Sequence, residues 1–405
     1  MTSPRRRPLF RRRSSAAAPL DDDDLLPEIL LRLPPLPSSL PRASAVCKRW
    51  RCLASDPAFS RRFRLHHRRN PPLLGYFRAG IPELCFQATM AAPNRVPFGR
   101  LSLKFNSYVR VLGRRHGLVL ILEWPQLLVC DPVTGHQHRL AYPPEFDPDN
   151  SLINGAVLRS AAGAGDVHFQ VVLVGSDYEK KLLACVYSSE TGVWGTLIST
   201  PIPSGNSLCT RVCWEHAVLV GDSLYWILAG TTLFNLLEFD LKTESLAVLP
   251  LPADKSYDAA LMNCPEGRFT VMRAEGGGLG LLSVSGFTAQ IWKRKTDFDG
   301  ATSWGIGATV ELDKRLSMDS EDYLDIEGYA EDNNLVFLWT GRSLFTVKLE
   351  PLQCNKLFDT NNRACYYPFE AVYATGNNMP LCCRYKKSSY FLIIGLWNAF
   401  RILSC

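Results

Sequence analysis

The spacing of apolar residues divides the chain near residue 70. Leu26, Ile29, Leu30 and Leu33 fall at i, i+3, i+4 and i+7, which predicts one face of a short helix with Pro27 in its first turn. The run Leu33-Pro34-Pro35-Leu36-Pro37 stops it. Ser38-Ser39 then offers a cap for a second helix with Pro41 near its start, along which Ala43, Val46, Cys47, Trp50, Leu53 and Ala54 keep helical spacing. Ser55-Asp56-Pro57 ends that helix and caps a third, where Phe59 and Phe63 stand four apart. Three helices in about 40 residues form a unit too small to be comfortably stable alone, so it needs a partner or the rest of the chain to cover its apolar face.

After Pro71-Pro72 the period changes to that of strands. A loose repeat emerges. Gln126-Leu-Leu-Val-Cys-Asp131 leads into the turn Pro132-Val-Thr-Gly135. Leu183-Ala-Cys-Val-Tyr187 leads into Glu190-Thr-Gly192 and then Val193-Trp194, and Leu236-Leu-Glu-Phe-Asp240 leads into Leu241-Lys-Thr243. Weaker copies begin at Ala289 to Trp292 and Ser343 to Val347, and the turn threonines 134, 191, 243 and 296 are 57, 52 and 53 residues apart. A unit of that length holding four short strands has the size of a propeller blade. Five units stand between residues 100 and 375. A sixth is expected from residues 72–110 completed by a C-terminal strand near Tyr390 to Leu403, which would close the ring and remove a free sheet edge. The fold class expected is therefore α+β in two domains: a small three-helix unit followed by a mainly antiparallel all-β domain, a β-propeller of about six blades. The alternative is a β-sandwich with irregular strands.

Charge sharpens the division. Residues 1–70 carry 16 Lys/Arg against 6 Asp/Glu, whereas the remainder carries 29 against 33. Residues 1–20, with Arg5-Arg6-Arg7 and Arg11-Arg12-Arg13, read as a disordered basic arm that is either a nuclear address or a solvated tail. The mildly acidic folded bulk argues against a nucleic-acid partner. Asp21 to Asp24 suits the positive end of the helix that follows. Thirteen cysteines without framework spacing, no Asn-x-Ser/Thr sequon and no apolar leader point to a reducing, cytoplasmic or nuclear setting. Phe391 to Leu403, broken by Asn398 and Arg401, is too short for a bilayer, so no membrane partner is expected.

Candidate chemistry is sparse. Cys209 and Cys213 have no second pair at zinc-site spacing, and Cys382-Cys383 are adjacent, so both read as strand residues. Gly276-Gly277-Gly278-Leu279-Gly280 lacks the following helix and the Lys-Ser/Thr of a phosphate loop and reads as a hairpin turn. None of the seven histidines is tied to a nucleophile, and His136 and His138, on one face of a strand, lack a third ligand. No catalytic residue, metal or cofactor is assigned.

Leu26-Pro-Glu-Ile-Leu-Leu-Arg-Leu-Pro34, Leu36-Pro-Ser-Ser-Leu40 and Val46-Cys-Lys-Arg-Trp-Arg-Cys-Leu53, with Asp56-Pro-Ala-Phe59, resemble an F-box, specifically that of the large grass F-box families. Arg115-His-Gly-Leu-Val-Leu120, Asp131-Pro-Val-Thr-Gly135, Gly280 through Trp292 and Glu327-Gly-Tyr-Ala-Glu331 resemble segments of the β domain that accompanies it. The resemblance implies an F-box over 21–66 and an F-box-associated β domain over 71–405. The first would bind a Skp-type adaptor and through it a cullin scaffold, and the second would hold a protein to be ubiquitinated, with chemistry left to other subunits. The adaptor-facing residues so implied are Leu26, Pro27, Ile29, Leu30, Leu33, Pro34, Leu40, Val46, Cys47, Trp50 and Leu53; packing inside the helical unit is the competing account for each. The target is expected on loops at one face of the propeller, such as Leu312 to Ile326 with its acidic run. A stand-alone propeller that binds a sugar, lipid or peptide, or acts as an enzyme, is the second reading.

Overall fold

The computed structural model describes residues 22–374 apart from 80–82, 98, 106–108, 144–145, 147–151, 160–167, 177–180, 203–209, 231–233, 253–267, 297–301 and 320–321. The basic arm and residues 375–405 lie outside the described residues.

The N-terminal unit has four helices rather than three: α1 (Leu25–Leu31), α2 (Ser39–Ser44), α3 (Lys48–Ser55) and α4 (Pro57–His67). The expected second helix breaks because Cys47 is fully extended, at φ −159° and ψ 172°, and restarts the helix as the cap of α3. Asp56 caps α4 as expected, its carboxylate accepting from the Ala58 and Phe59 N–H groups with Pro57 in the first turn. Leu26, Leu30, Leu31, Leu40, Ala43, Phe59 and Phe63 form the core, and Val372 and Ala374 of the β domain complete it.

The β domain consists of six antiparallel sheets. Counted by inner strand, the blades begin at Val109–Arg115, Leu152–Arg159, Arg211–Val212 with Val218–Val220, Phe269–Arg273, Asp325–Ala330 and Tyr366–Glu370. In blades 1, 4 and 5 each following strand pairs with the one before it, moving outward; in blade 2 the outermost strand is split into Val193–Trp194 and Ile198–Pro201, both on Lys181–Ser188, and in blade 3 the split inner strand pairs with Ser223–Ala229. Blade 6 is built from both ends of the domain: Tyr366–Glu370 pairs with Leu73–Ala79, which pairs with Glu83–Ala88 and then Leu103–Lys104. Among the described residues the strand that joins the two ends is Tyr366–Glu370; the strand expected near Tyr390 to Leu403 lies outside the described residues.

Alternation along the strands serves two seams at once. In blade 1, Leu118 and Leu120 pack toward blade 2, while Val119 and Ile121 pack toward blade 6. A strand covered on both faces reads as an unbroken apolar run, as Leu118-Val-Leu-Ile121 does. Near the axis the inner strands crowd together, and two bulges carry glycine there. A Cβ on Gly113 would stand 2.8 Å from the Gly155 carbonyl, and one on Gly328 2.7 Å from the Tyr366 carbonyl. The repeat seen in the sequence is the third strand and hairpin of each blade. Asp131 accepts from the Val133 and Thr134 N–H groups, and Asp240 from those of Lys242 and Thr243, fixing the same turn in blades 1 and 3. Gly276 and Gly277, both at positive φ, form the hairpin turn of blade 4.

Candidate functional site

The inner strands all finish at one end of the ring. There Arg115 meets Glu331, Arg273 meets Glu331 and Asp332, Arg159 meets Asp131 at 3.1 Å, and Glu370 accepts from the Asp332 and Asn333 N–H groups. The helical unit sits at this exit end. Arg64 of α4 donates to the Ala374 carbonyl at 3.0 Å, and Ser38 Oγ reaches Asn94 at 2.7 Å. His116, in the turn that ends the inner strand of blade 1, is pushed down to about 3 by burial and then by arginines including Arg115 and Arg68. The opposite, entry end is left for the connections that lead into each inner strand.

Burial sorts the adaptor-facing candidates. Leu26, Leu30 and Leu40 are core residues, between 1% and 6% exposed, and support the unit from inside rather than facing a partner. Pro27, Ile29, Leu33, Trp50 and Leu53 are half-buried, with Leu33, Trp50 and Leu53 packed against that core. Pro34, Val46 and Cys47 are exposed, and Val46 is 62% so because the break between α2 and α3 turns it outward. Leu25 at 46% and Leu65 at 47% were not singled out from the sequence, since each lies off the helical stripe that fills the core. Leu25, Val46 and Leu65 are thus large apolar side chains that the helical unit leaves in the open.

At the entry end, Trp124 is 46% exposed beside Tyr142, with ring centroids 6.3 Å apart. Tyr323 is 43% exposed and stands edge-on to Trp339 at 5.5 Å. Leu312 to Ile326 is not a free loop, because Leu312, Leu316 and Leu324 are core residues. Its Asp319 and Asp322 are held by Arg342 at 2.7 and 2.6 Å. The segment expected to read the target is therefore in part a structural element of its blade. His138 contacts the Tyr187 hydroxyl at 3.2 Å across the seam of blades 1 and 2, while His136 is exposed.

The central channel contains a cavity of about 560 Å³. Segments singled out for resemblance converge on it: Arg115 from blade 1 crosses to Glu331 of blade 5, and Arg114 beside it donates to the Tyr329 carbonyl at 2.6 Å. Burial pulls Arg114 down to about 10. Sequence reasoning missed Trp214, Glu215 and His216, which line the same cavity.

Residues 110–373 match the family described as F-box protein AT5G49610-like, β-propeller, and residues 23–66 match the F-box-like family. The chain belongs to this family of F-box proteins. Among its relatives, the F-box protein At5g07610 of Arabidopsis thaliana is 24% identical over 321 residues, covering 72% of this chain and 70% of the relative. The F-box protein At5g49610 of the same plant is 24% identical over 304 residues, covering 71% and 78%. A solved structure titled "Structure of Dos1 propeller" aligns with a TM-score of 0.37 and 9% identity, covering 72% of this chain and 68% of that one. At that distance the six-bladed assignment rests on this chain's own sheets. An F-box ahead of a propeller supports, in general terms, a substrate-adaptor role in an SCF ubiquitin ligase, and an F-box implies binding of a Skp-type adaptor. The pairing fits a non-catalytic subunit.

Proposed function

We infer that this F-box protein is the substrate-recruiting subunit of an SCF-type ligase. Its helical unit binds the Skp-type adaptor, and through it a cullin, with Val46, Leu25, Leu65 and the half-buried Trp50 at the contact. The entry end of the propeller holds the protein to be ubiquitinated. The subunit works by proximity, raising the effective concentration of target lysines near the charged conjugating enzyme. The observation that carries this reading is the arrangement of the two exposed surfaces. The helical unit, with its exposed Leu25, Val46 and Leu65, is docked at the exit end and the exposed Trp124 and Tyr323 stand at the entry end, an arrangement that supports separate places for adaptor and target.

The test is quantitative affinity purification of the full chain under proteasome inhibition, with Val46→Asp and the double change Trp124→Ser with Tyr323→Ser. Val46→Asp is expected to lose the adaptor and cullin while retaining co-purified targets. The entry-end variant is expected to do the reverse. Retention of the adaptor by a folded Val46→Asp chain would refute the assignment of that face.

A further inference from the structure

The inner strand of blade 3 is interrupted in an unusual way. Val212 pairs with Leu228 and Val218 pairs with Tyr225, so five residues stand opposite two. The surplus carries Trp214, Glu215 and His216 to the wall of the channel cavity. Buried Asn154 of blade 2 holds the excursion by donating to the Cys213 and Glu215 carbonyls at 2.7 and 2.9 Å. Trp214 lies under the Arg110 guanidinium at 5.6 Å, and the His216 ring stands edge-on to Tyr367 at 5.2 Å. A bulge braced from a neighbouring blade is a built feature rather than slack.

Arg114 is the anomaly in that cavity. Three nearby cations each hold a carboxylate at ion-pair distance: Arg115 has Glu331, Arg273 has Glu331 and Asp332, and Arg363 has Glu327 and Asp325. Arg114 donates to the Tyr329 carbonyl, and its buried Nε has no hydrogen-bond partner among the described residues; Glu370 and Glu331 favour its charge, but no ion pair with either is formed among those residues. The surrounding acids are already engaged. Glu331 serves two arginines and the Leu219 N–H, and Glu370 is held by Asn333 and two backbone N–H groups. A buried guanidinium with no carboxylate in hydrogen-bond contact has a donor left to fill, and its planar fork matches a carboxylate in two parallel hydrogen bonds.

We propose that the channel is a binding site for an organic carboxylate, with Arg114 as its anchor and Trp214 and Tyr367 as walls for an apolar or aromatic body. A volume of about 560 Å³ suits a small ligand or one peptide terminus, within the usual range of roughly 300–1,000 Å³. Glu215 and Glu327 also line the cavity and oppose a dianion such as phosphate. This proposal does not depend on the ligase reading, since the site exists whether or not the chain recruits a target.

The experiment is calorimetric titration of the full chain with benzoate and with the dipeptide Gly-Phe, each against its uncharged amide. At least one acid is expected to bind at millimolar concentration or better, with the matching amide at least about tenfold weaker, a loss of about 1.4 kcal/mol. Binding of benzoate alone assigns a free small acid, and binding of Gly-Phe alone assigns a chain terminus. Arg114→Gln, which keeps a donor for the Tyr329 carbonyl, is expected to weaken the acid by a similar factor. Trp214→Ala, on the half-buried excursion, serves as the second variant if Arg114→Gln does not fold. The proposal is overturned if neither acid binds wild-type protein, if amide and acid bind alike, or if folded Arg114→Gln binds as wild type does.

Discussion

The helical unit and the propeller bury their apolar residues by different means. In the helical unit, Leu26, Leu30 and Phe63 are 1% exposed, yet Leu25, Val46 and Leu65 a few residues away stand open. Its core is finished only by Val372 and Ala374, borrowed from the propeller. In the propeller each central strand is covered by a blade on either side, and joining Tyr366–Glu370 to Leu73–Ala79 leaves no seam open. One region completes itself by closing a ring; the other borrows part of its core and leaves large apolar side chains exposed. Apolar side chains in the two regions therefore do different work, and substitution can separate them.

The largest effect is expected where the two regions meet. Phe369, 1% exposed, packs edge-on to Phe77 and Phe86 in the closing blade, just before the residues that complete the helical core. Phe369→Ala should cost about 3–5 kcal/mol and lower the unfolding transition of both regions. Leu26→Ala should cost about 2–5 kcal/mol of helical-unit stability, and far-ultraviolet circular dichroism should lose helix while the propeller's transition stays in place. If Leu26→Ala lowered the propeller's transition as much as Phe369→Ala does, the two regions would be one cooperative unit and the contrast would fail.

Val46→Asp inverts the Leu26 experiment. The side chain is exposed, so stability should change by no more than about 0.5 kcal/mol. Truncated interface anchors often cost about 2 kcal/mol or more, which is at least about thirtyfold in affinity. Titration with the Skp-type adaptor should show that loss with the melting curve unchanged. Leu26→Ala, at a temperature where the unit remains folded, should bind more nearly as wild type does.

How much of this was legible follows from the same contrast. The stripe Leu26, Ile29, Leu30 and Leu33 located α1, and the Asp131 and Asp240 turns located the third strand of blades 1 and 3, because both are local patterns. Periodicity showed that Leu26 and Val46 are apolar at helical spacing. It did not show that an extended Cys47 turns one outward while the other stays in the core. The role of Tyr366–Glu370 in joining the two ends was not legible for a clear reason. Tyr366-Tyr-Pro-Phe-Glu370 contains Pro368, which argues against a central strand. An inner propeller strand, however, is paired on one side only, and its free edge toward the axis tolerates a residue without N–H. The pairing of Arg115 with Glu331 spans 216 residues, and the excursion at Trp214 breaks the strand period, so no local pattern could announce either.

The exit-end network makes a pH-dependent prediction. Asp332 is pushed up to about 7, from 3.8, by burial first and then by the charges of Glu370 and Glu331. A carboxyl raised in the folded state binds its proton more tightly there than in the unfolded chain. Its stabilising contribution is complete below 3.8 and is lost as pH rises through about 7. Glu370 is raised as well, by burial, and adds in the same direction. His116, held down at about 3, and His216 contribute in the opposite direction up to pH 6.5, so the test is a difference: from pH 5 to pH 8 wild type should lose melting temperature relative to Asp332→Asn, which is neutral throughout. Parallel curves for the two proteins would show that Arg115 and Arg273 keep Asp332 ionised in the fold.

The smallest effect tests whether the propeller's seams act independently. Trp194 donates its indole N–H to the Ala141 carbonyl at 2.9 Å across the seam of blades 1 and 2. Trp304 does the same to the Pro250 carbonyl at 2.9 Å across the seam of blades 3 and 4. The partners are 53 and 54 residues apart, so one blade repeat places the same latch at two seams. Trp→Phe keeps most of the ring and removes the donor. The carbonyl left behind lies at the solvent-exposed rim and can take a water, so each change should cost about 1 kcal/mol or less. The two seams share no residue, and the costs should add to within about 0.5 kcal/mol in the double variant. Urea midpoints of the two single variants and the double decide the matter. A double variant markedly less stable than the sum would mean that loosening one seam strains the other around the closed ring. The propeller would then share the interdependence otherwise confined to the helical unit and the blade it rests on.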